Sequence, residues 1–435
     1  MSIDIEKNIN RLVMKFPFNQ EETVLYNTQN RSLLVLSNSL FDGNMIAKDV
    51  DYDVLKILRD FQMIGTTDDE ILQSMRNKYN NESKTLVITI ELTRNCFFEC
   101  TYCYENGMKN NFKITKNVMD NIIFYIFYIE KIFNKKDVDF LQMNFIGGEP
   151  LLAKKELLYL YNRIKILCDT YEVDYRSLIN TNGVLLSPSL FSEIQNVDIL
   201  VSLTNISDHD KNRPFLNGTG SYQKICSALT KCRDAFRRDD VNLIIRFNTN
   251  GENFTEFRGF LNELKRLNIT ISQVDPMYTD EYEQNSFINT LKKQDFLQWN
   301  STTAIDILIE EGFPIVYAPQ NYPKPCKAYI RDNCKIFYDG NLGLCDASDF
   351  EKRGPNIIDI NNGKINLNSY FSRIKEWSPL DDVQCRNCEI LLMCGGKYFC
   401  KNNKCEVERY DLQSFLKTYI KHTQLGNSDS FVGMQ

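Results

Sequence analysis

Histidine is nearly absent: two residues in 435, against fourteen cysteines. Zinc enzymes lean on imidazole as well as thiolate, so this imbalance argues for iron held by sulfur alone. Nor is there an excess of positive charge. Fifty-one Lys and Arg against 57 Asp and Glu leave a net charge of -6, which gives no electrostatic footprint for nucleic acid or an anionic membrane surface. Residues 1–10 carry Asp4, Glu6 and Lys7 and no apolar core, so they do not read as a secretory signal. The most apolar stretch, 121–133, contains Glu130 and is too short to span a bilayer. It reads as a buried helix. Internal repeats and low-complexity blocks are also lacking. The expected location is therefore the cytoplasm, where a high cysteine content points to metal or redox chemistry rather than disulfides.

With 43% hydrophobic and 25% charged residues, the composition is that of a globular protein of about two or three domains. Three sections differ in character, and we place boundaries at 1–83, 84–315 and 316–435. The first begins with short β-like runs at 23–26 and 32–36. Amphipathic helical patterns follow at 52–61, with Val54, Leu55, Leu58 and Phe61 on one stripe, and at 68–79, with Ile71, Leu72 and Met75. Thr66 or Thr67 can cap the second helix. Strands followed by two helices give a small winged-helix-like domain. Its 13 acidic and 10 basic side chains within residues 1–85 argue against DNA.

The second section alternates strand and helix. Strands are expected at 86–92, 142–146, 174–179, 199–203, 243–248 and 270–274, with helices at 115–133, 154–171, 222–236 and 253–267 between them. Six such alternations predict an α/β partial (β/α)6 barrel with function at the C-terminal ends of its strands. Stopping short of eight leaves one side open for a large substrate. The third section turns to Cys, Gly, Asn and Lys with little periodicity, and eight of the fourteen Cys fall between Cys326 and Cys405. Bound metal is the expected means of ordering it.

Directly after the first barrel strand the chain reads Cys96-x3-Cys100-x2-Cys103. Three thiolates on one loop can hold three irons of a cubane cluster and leave the fourth iron without a protein ligand. With the aromatic Tyr102 before the last Cys, the motif resembles that of the radical S-adenosylmethionine (SAM) enzymes. Gly147-Gly148-Glu149-Pro150 after the second strand resembles the family's segment for the methionine amino group, and no Lys-Ser/Thr follows it as a phosphate loop would require. Asn180-Thr181-Asn182-Gly183 follows the third strand, and Ser202, His209 and Arg213 follow the fourth. The resemblance implies that Ser202 and Arg213 approach the SAM ribose and carboxylate, although Thr204-Asn205 stands where the family often has Asp-Gly. His209 by itself reads as an ordinary core or surface histidine. The resemblance further implies a 4Fe-4S cluster on Cys96, Cys100 and Cys103, and a 5′-deoxyadenosyl radical that abstracts a substrate hydrogen.

The second array is Cys326-x7-Cys334-x10-Cys345, then Cys385-x2-Cys388-x5-Cys394-x5-Cys400-x4-Cys405. Eight thiolates suffice for two fully ligated cubane clusters, and two structural zinc sites are the alternative. With Gly340 separated from Cys345 by four residues, the array resembles the SPASM auxiliary-cluster domain. That likeness assigns Cys326, Cys334, Cys345 and Cys400 to one cluster and Cys385, Cys388, Cys394 and Cys405 to the other, for three 4Fe-4S clusters in all. The family's C-x3-C step falls on Tyr398 here, and Cys400 comes two residues later. Cys168, Cys226 and Cys232 lie on barrel helices and read as small buried hydrophobes. Asp346 resembles the catalytic base of sulfatase-maturating relatives.

Together the three sections resemble maturases of ribosomally made peptides, in which a precursor's leader adds as a strand to the edge of an N-terminal recognition sheet. The expected function is removal of a peptide hydrogen followed by a carbon–carbon or thioether crosslink. The expected partners are a precursor peptide and a low-potential donor such as flavodoxin or ferredoxin, with neither nucleic acid nor membrane. A sulfatase-maturating or other protein-modifying enzyme is the alternative, and a zinc-stabilised binding adaptor is the reading from another class.

Overall fold

The computed structural model describes residues 7–80, 84–105, 109–129, 138–281, 287–315, 334–343, 353–365, 378–397, 411–423 and 432–433. They divide into two compact units. One draws on Met1–Glu82 and Ile374–Gln435, the other on Ser83–Val316 and Arg331–Arg373.

In the first unit, β1 (Val13–Pro17), β2 (Glu22–Asn27) and β3 (Ser32–Ser37) form an antiparallel sheet. Residues Val432–Gly433 extend it by pairing with Leu33 and Ser32 of β3. Side chains alternate across a strand, and here both faces are covered. Val13, Leu25, Leu34 and Leu36 pack with Ile46, Leu58, Met63 and Ile64, the last four carried by or following a short hairpin of β4 (Phe41–Asp42) and β5 (Met45–Ile46) and helix α1 (Tyr52–Asp60). Met14, Phe16, Val24, Tyr26 and Leu33 pack with Ile390, Met393 and Cys394 and with Leu412, Leu416 and Ile420 of the helix Leu412–Thr423. The N-terminal strands therefore share their core with the cysteine-rich region. Helix α2 (Asp68–Asn80) starts on a capping box, in which Thr67 and Glu70 bond each other's backbone N–H.

The second unit is built on one sheet of eight strands. β6 (Thr85–Glu91), β7 (Phe140–Ile146), β8 (Asp174–Thr181), β9 (Val197–Ser202), β10 (Val241–Thr249) and β11 (Gln273–Tyr278) are parallel and lie side by side in chain order. This is the α/β six-stranded arrangement expected from the sequence. The expected sheet gains two strands beyond it. β12 (Cys334–Ile336) pairs in parallel with β6, and β13 (Leu342–Gly343) returns antiparallel beside β12.

The outward side chains of the strands and the buried stripes of α3 (Lys116–Phe124), α4 (Lys154–Tyr171), α5 (Pro188–Phe191), α7 (Tyr222–Lys231) and α8 (Phe257–Arg266) enclose an apolar core, whereas α6 (Ile206–Asn212) buries the polar Asp208, His209 and Asn212. Cys168, Cys226 and Cys232 belong to that core, as small hydrophobes should. The opposite face of the strands carries polar residues at alternate positions, among them Thr89, Glu91, Asn144, Arg176, Asp198, Ser202, Arg246 and Asn248. β11 lies three residues later than the alternation alone suggests and contains Pro276. Proline is tolerated there because β11 is the edge strand.

Candidate active site

The loop that follows β6 is held from below by the segment that follows β7. Gly148 donates its backbone N–H to the Thr93 carbonyl at 2.9 Å, and Glu149 donates to the Asn95 carbonyl at 2.8 Å. This approach leaves no room for side chains. A Cβ at Gly147 would lie 2.3 Å from the Thr93 oxygen, and one at Gly148 would lie 2.6 Å from the Asn95 oxygen. The two glycines are thus required by contact with the residues that lead directly into Cys96.

Glu149 is fully buried. Its carboxylate caps the turn Pro150–Ala153 by accepting from the Leu151 N–H at 2.9 Å. It also accepts from the Thr181 hydroxyl and from the Asn182 N–H, both at 2.7 Å. Burial raises its pKa, opposed by these three donors and by Arg213. One carboxylate therefore ties the end of β7 to the Asn180–Gly183 turn after β8, in which Gly183 takes the left-handed conformation (φ 89°).

Cys96, Cys100 and Cys103 are half-buried on the loop. Burial pushes the thiols of Cys96 and Cys103 up to about 11, and each also senses Cys100. They hold their protons until a metal displaces them. Tyr102 is anchored through its hydroxyl, which accepts from Arg213 Nη1 at 3.2 Å and from Asn248 Nδ2 at 2.9 Å. Arg213 is buried, sits over the Phe98 ring at 5.7 Å and feels both Cys100 and Cys96. Ser202 ends β9, opposite Arg246 of β10 in the register. His209 is a core residue: its Nε2 meets Ser221 Oγ at 3.1 Å, and burial lowers its pKa well below the ordinary value.

The site accepts the implied groups on its own chemistry. Among the described residues no three His, Cys, Asp or Glu side chains close round a single metal ion, whereas a cubane cluster spaces its thiolates by its own width. Asn182 Nδ2 and Arg213 Nε are buried donors with no hydrogen-bond partner among the described residues. Arg213 feels both Glu149 and the cysteines, so these donors suit an oxygen-rich, anionic ligand such as the carboxylate of SAM.

In the first unit, Cys385, Cys388 and Cys394 lie on two short helices, Val383–Arg386 and Leu391–Cys394, and the turn between them. Cys388 donates its N–H to the Cys385 carbonyl at 3.0 Å. Burial pushes the Cys385 thiol up to about 12, and Asp382 and Cys394 add to the shift. In the second unit, Cys334 is buried on β12, opposite Ile88 of β6. Cys326, Cys345, Asp346, Cys400 and Cys405 lie outside the described residues.

Sequence reasoning did not find the buried charges beside the cysteine loop. Glu91, at the end of β6, takes Arg94 Nε at 2.9 Å and Lys335 Nζ of β12 at 3.0 Å. Glu105 lies in the same cluster, and burial pushes it up to about 7, with Glu91 adding and Lys335 and Arg94 opposing. A glutamate closing the strand pattern LVITIE was the available signal; the partner Lys335 is 244 positions away in the chain.

Residues 90–264 match the Radical SAM superfamily model. An uncharacterized protein of Methanocaldococcus jannaschii is 28% identical over 31% of this chain and 44% of its own length, so the chain spans less than half of that relative. The cysteine-type anaerobic sulfatase-maturating enzyme of Clostridium novyi (strain NT) is 23% identical over 71% of this chain and 86% of its own. Among solved structures, native anSMEcpe with bound AdoMet aligns with a TM-score of 0.53 at 16% identity, covering 78% of this chain and 97% of that one. Streptococcus suis SuiB bound to precursor peptide SuiA aligns at 0.52 and 14%, covering 93% and 98%. The glycine-backed cysteine loop at the C-terminal end of a parallel sheet lies within residues 90–264, the part of the chain that is similar to the radical SAM enzymes.

Proposed function

We propose that the chain is a cytoplasmic radical SAM maturase that installs a carbon–carbon or thioether crosslink in a ribosomally made precursor peptide. The observation that carries this reading is the loop of Cys96, Cys100 and Cys103, backed by Gly147 and Gly148 and flanked by Asn182 Nδ2 and Arg213 Nε, buried donors without a partner among the described residues. Cys96, Cys100 and Cys103 would hold a 4Fe-4S cluster. Glu149, Asn182, Ser202 and Arg213, with Tyr102 and Pro150 as supports, would surround SAM. When bound, SAM with a reducible cluster supplies hydrogen-atom abstraction from an unactivated carbon. The chain's own part is to orient that reagent, keep Arg213 charged beside it and exclude water.

Cys326, Cys334, Cys345 and Cys400, and Cys385, Cys388, Cys394 and Cys405, would hold two auxiliary clusters, with Asp346 as a base towards substrate. Reducing electrons would come from a flavodoxin or ferredoxin. The antiparallel sheet of the first unit offers edges to which a leader can add as a strand. A leader running along all of β3 must take the place of Val432–Gly433 at Ser32 and Leu33. The solved complex of SuiB with its precursor peptide supports a peptide substrate.

Replacing Cys96, Cys100 and Cys103 by Ala is expected to abolish 5′-deoxyadenosine formation from SAM; retained formation sinks the reading. The likeness to a cysteine-type sulfatase-maturating enzyme over 71% of this chain favours a second reading, maturation of a cysteine in a protein. Turnover of a cysteine-bearing sulfatase peptide without a leader would select it.

A further inference from the structure

The three thiols stand on a loop, and a loop needs a scaffold to fix them. Part of that scaffold is a carboxylate that the family motifs do not include. Asp208 of α6 is buried and accepts four hydrogen bonds. Its Oδ2 takes the Thr204 hydroxyl at 2.8 Å and Asn253 Nδ2 at 2.9 Å; its Oδ1 takes Asn212 Nδ2 at 3.0 Å and Asn250 Nδ2 at 2.8 Å. These partners come from the end of β9, from α6 and from the loop after β10. A carboxylate can serve four donors in this way because it only accepts.

Two of the partners reach the cysteine loop. Asn212, oriented by Asp208 through its amide nitrogen, turns its amide oxygen to the Thr101 hydroxyl at 2.8 Å, and its backbone carbonyl takes the Thr101 N–H at 2.9 Å. Thr101 stands between Cys100 and Tyr102 and has both of its donors held by this one residue. Asn253 also donates to the Asn248 carbonyl at 2.8 Å, and Asn248 donates to the Tyr102 hydroxyl at 2.9 Å. Asp208 is thus connected to both residues that separate Cys100 from Cys103.

We infer that Asp208 is a positioning residue that, through Asn212 and Asn253, fixes Thr101 and Tyr102 and so sets the spacing of the Cys100 and Cys103 thiolates. The inference rests on the assignment of those cysteines to the SAM-binding cluster. Asp208→Asn keeps the shape but replaces two acceptor lone pairs by an N–H2 group that faces the N–H or O–H of its former partners. Buried donors then meet a donor, and the network must open.

The test uses the full-length, anaerobically reconstituted chain and SAM itself. In Asp208→Asn the Thr101 amide is expected to exchange about ten-fold faster, the lowering of a barrier by about 1.4 kcal/mol. SAM affinity is expected to fall by a similar factor, with altered g-values of the reduced cluster in the presence of SAM. Because one of its two routes runs through Thr101, adding Asp208→Asn to Thr101→Val is expected to lower SAM affinity by clearly less than the product of the two single effects. Should Asp208→Asn fail to fold, Asn212→Ala leaves the carboxylate and the backbone carbonyl in place, removes the side-chain link to the Thr101 hydroxyl and is expected to change Thr101 exchange and SAM affinity in the same direction by a smaller factor. The inference is overturned if Asp208→Asn or Asn212→Ala lowers melting temperature while Thr101 exchange, SAM affinity and g-values stay at wild-type levels. It is also overturned if the Asp208 and Thr101 effects simply multiply. A wild-type chain that binds no SAM would instead refute the cofactor assignment.

Discussion

Substituting Gly148 by Ala adds one methyl group to one of the two tight glycine contacts beneath the cysteine loop. Its Cβ would stand 2.6 Å from the Asn95 oxygen and 2.8 Å from the Arg94 oxygen, both backbone atoms with no rotamer to yield. Regaining ordinary contact requires the two segments to part by about 0.8 Å. That parting stretches the bonds from Gly148 N to Thr93 O and from Glu149 N to Asn95 O. Overpacking costs about 1–3 kcal/mol and each of the two weakened hydrogen bonds about 0.5–1.5 kcal/mol, so the expected loss is about 2–6 kcal/mol. At about 2–4 °C per kcal/mol the melting temperature falls by roughly 4–24 °C, and iron bound per chain after reconstitution falls with it. Gly259→Ala is the control. It lies within α8 with nothing within 4 Å of an added Cβ, and helix propensity alone is expected to stabilise it by up to about 1 kcal/mol. Calorimetry and iron analysis on both variants read the result. A Gly148→Ala chain with wild-type melting temperature and iron content would refute the claim that this contact sets the loop.

His209 is buried neutral with its pKa lowered well below the ordinary value by desolvation. Its stabilising state is complete above the unfolded value of about 6.5 and is lost as pH falls below it, by up to about 1.4 kcal/mol per pH unit. Urea titrations between pH 7 and 5 are expected to show this slope in the wild type and a shallower one in His209→Gln; equal slopes contradict it. Iron analysis is expected to give about twelve irons per chain for three cubane clusters, whereas stoichiometric zinc would make the C-terminal array structural. Asn248→Ala removes one of the two donors to the Tyr102 hydroxyl and is expected to weaken SAM binding about three- to ten-fold, by roughly 1 kcal/mol, as measured by equilibrium dialysis; unchanged affinity would mean Arg213 alone anchors the ring.

The barrel was legible because its signals are local. Alternation of apolar and polar residues fixed most strands to within two positions, and α4 falls where its pattern places it. The two glycines before Glu149 were legible for the same reason: they form a short string with a steric requirement, and the Cys96–Cys103 spacing is equally local, its ligand role being part of the proposed function. What the sequence did not reveal depends on distant pairing. Residues 334–336 carry no strand signal longer than three residues, yet β12 is ordered by its partner β6. The shared core of Met14, Phe16 and Val24 with Leu416 and Ile420 joins segments nearly 400 positions apart. Asp208 reads as one more acidic residue in ISDHDKN; only the fold turns Asn212, Asn250 and Asn253 towards it.

The pairing of Val432–Gly433 with Ser32 and Leu33 also bears on the behaviour of the protein at high concentration. An uncovered strand edge is a template on which a second chain can pair and from which aggregates grow. In the first unit the chain covers two positions of that edge itself. At β11, one of the two edge strands of the larger sheet among the described residues, Pro276 has no N–H to offer an incoming strand and Asp275 adds charge beside it. Truncation before residue 432 therefore exposes the β3 edge and is expected to lower the concentration at which the protein precipitates.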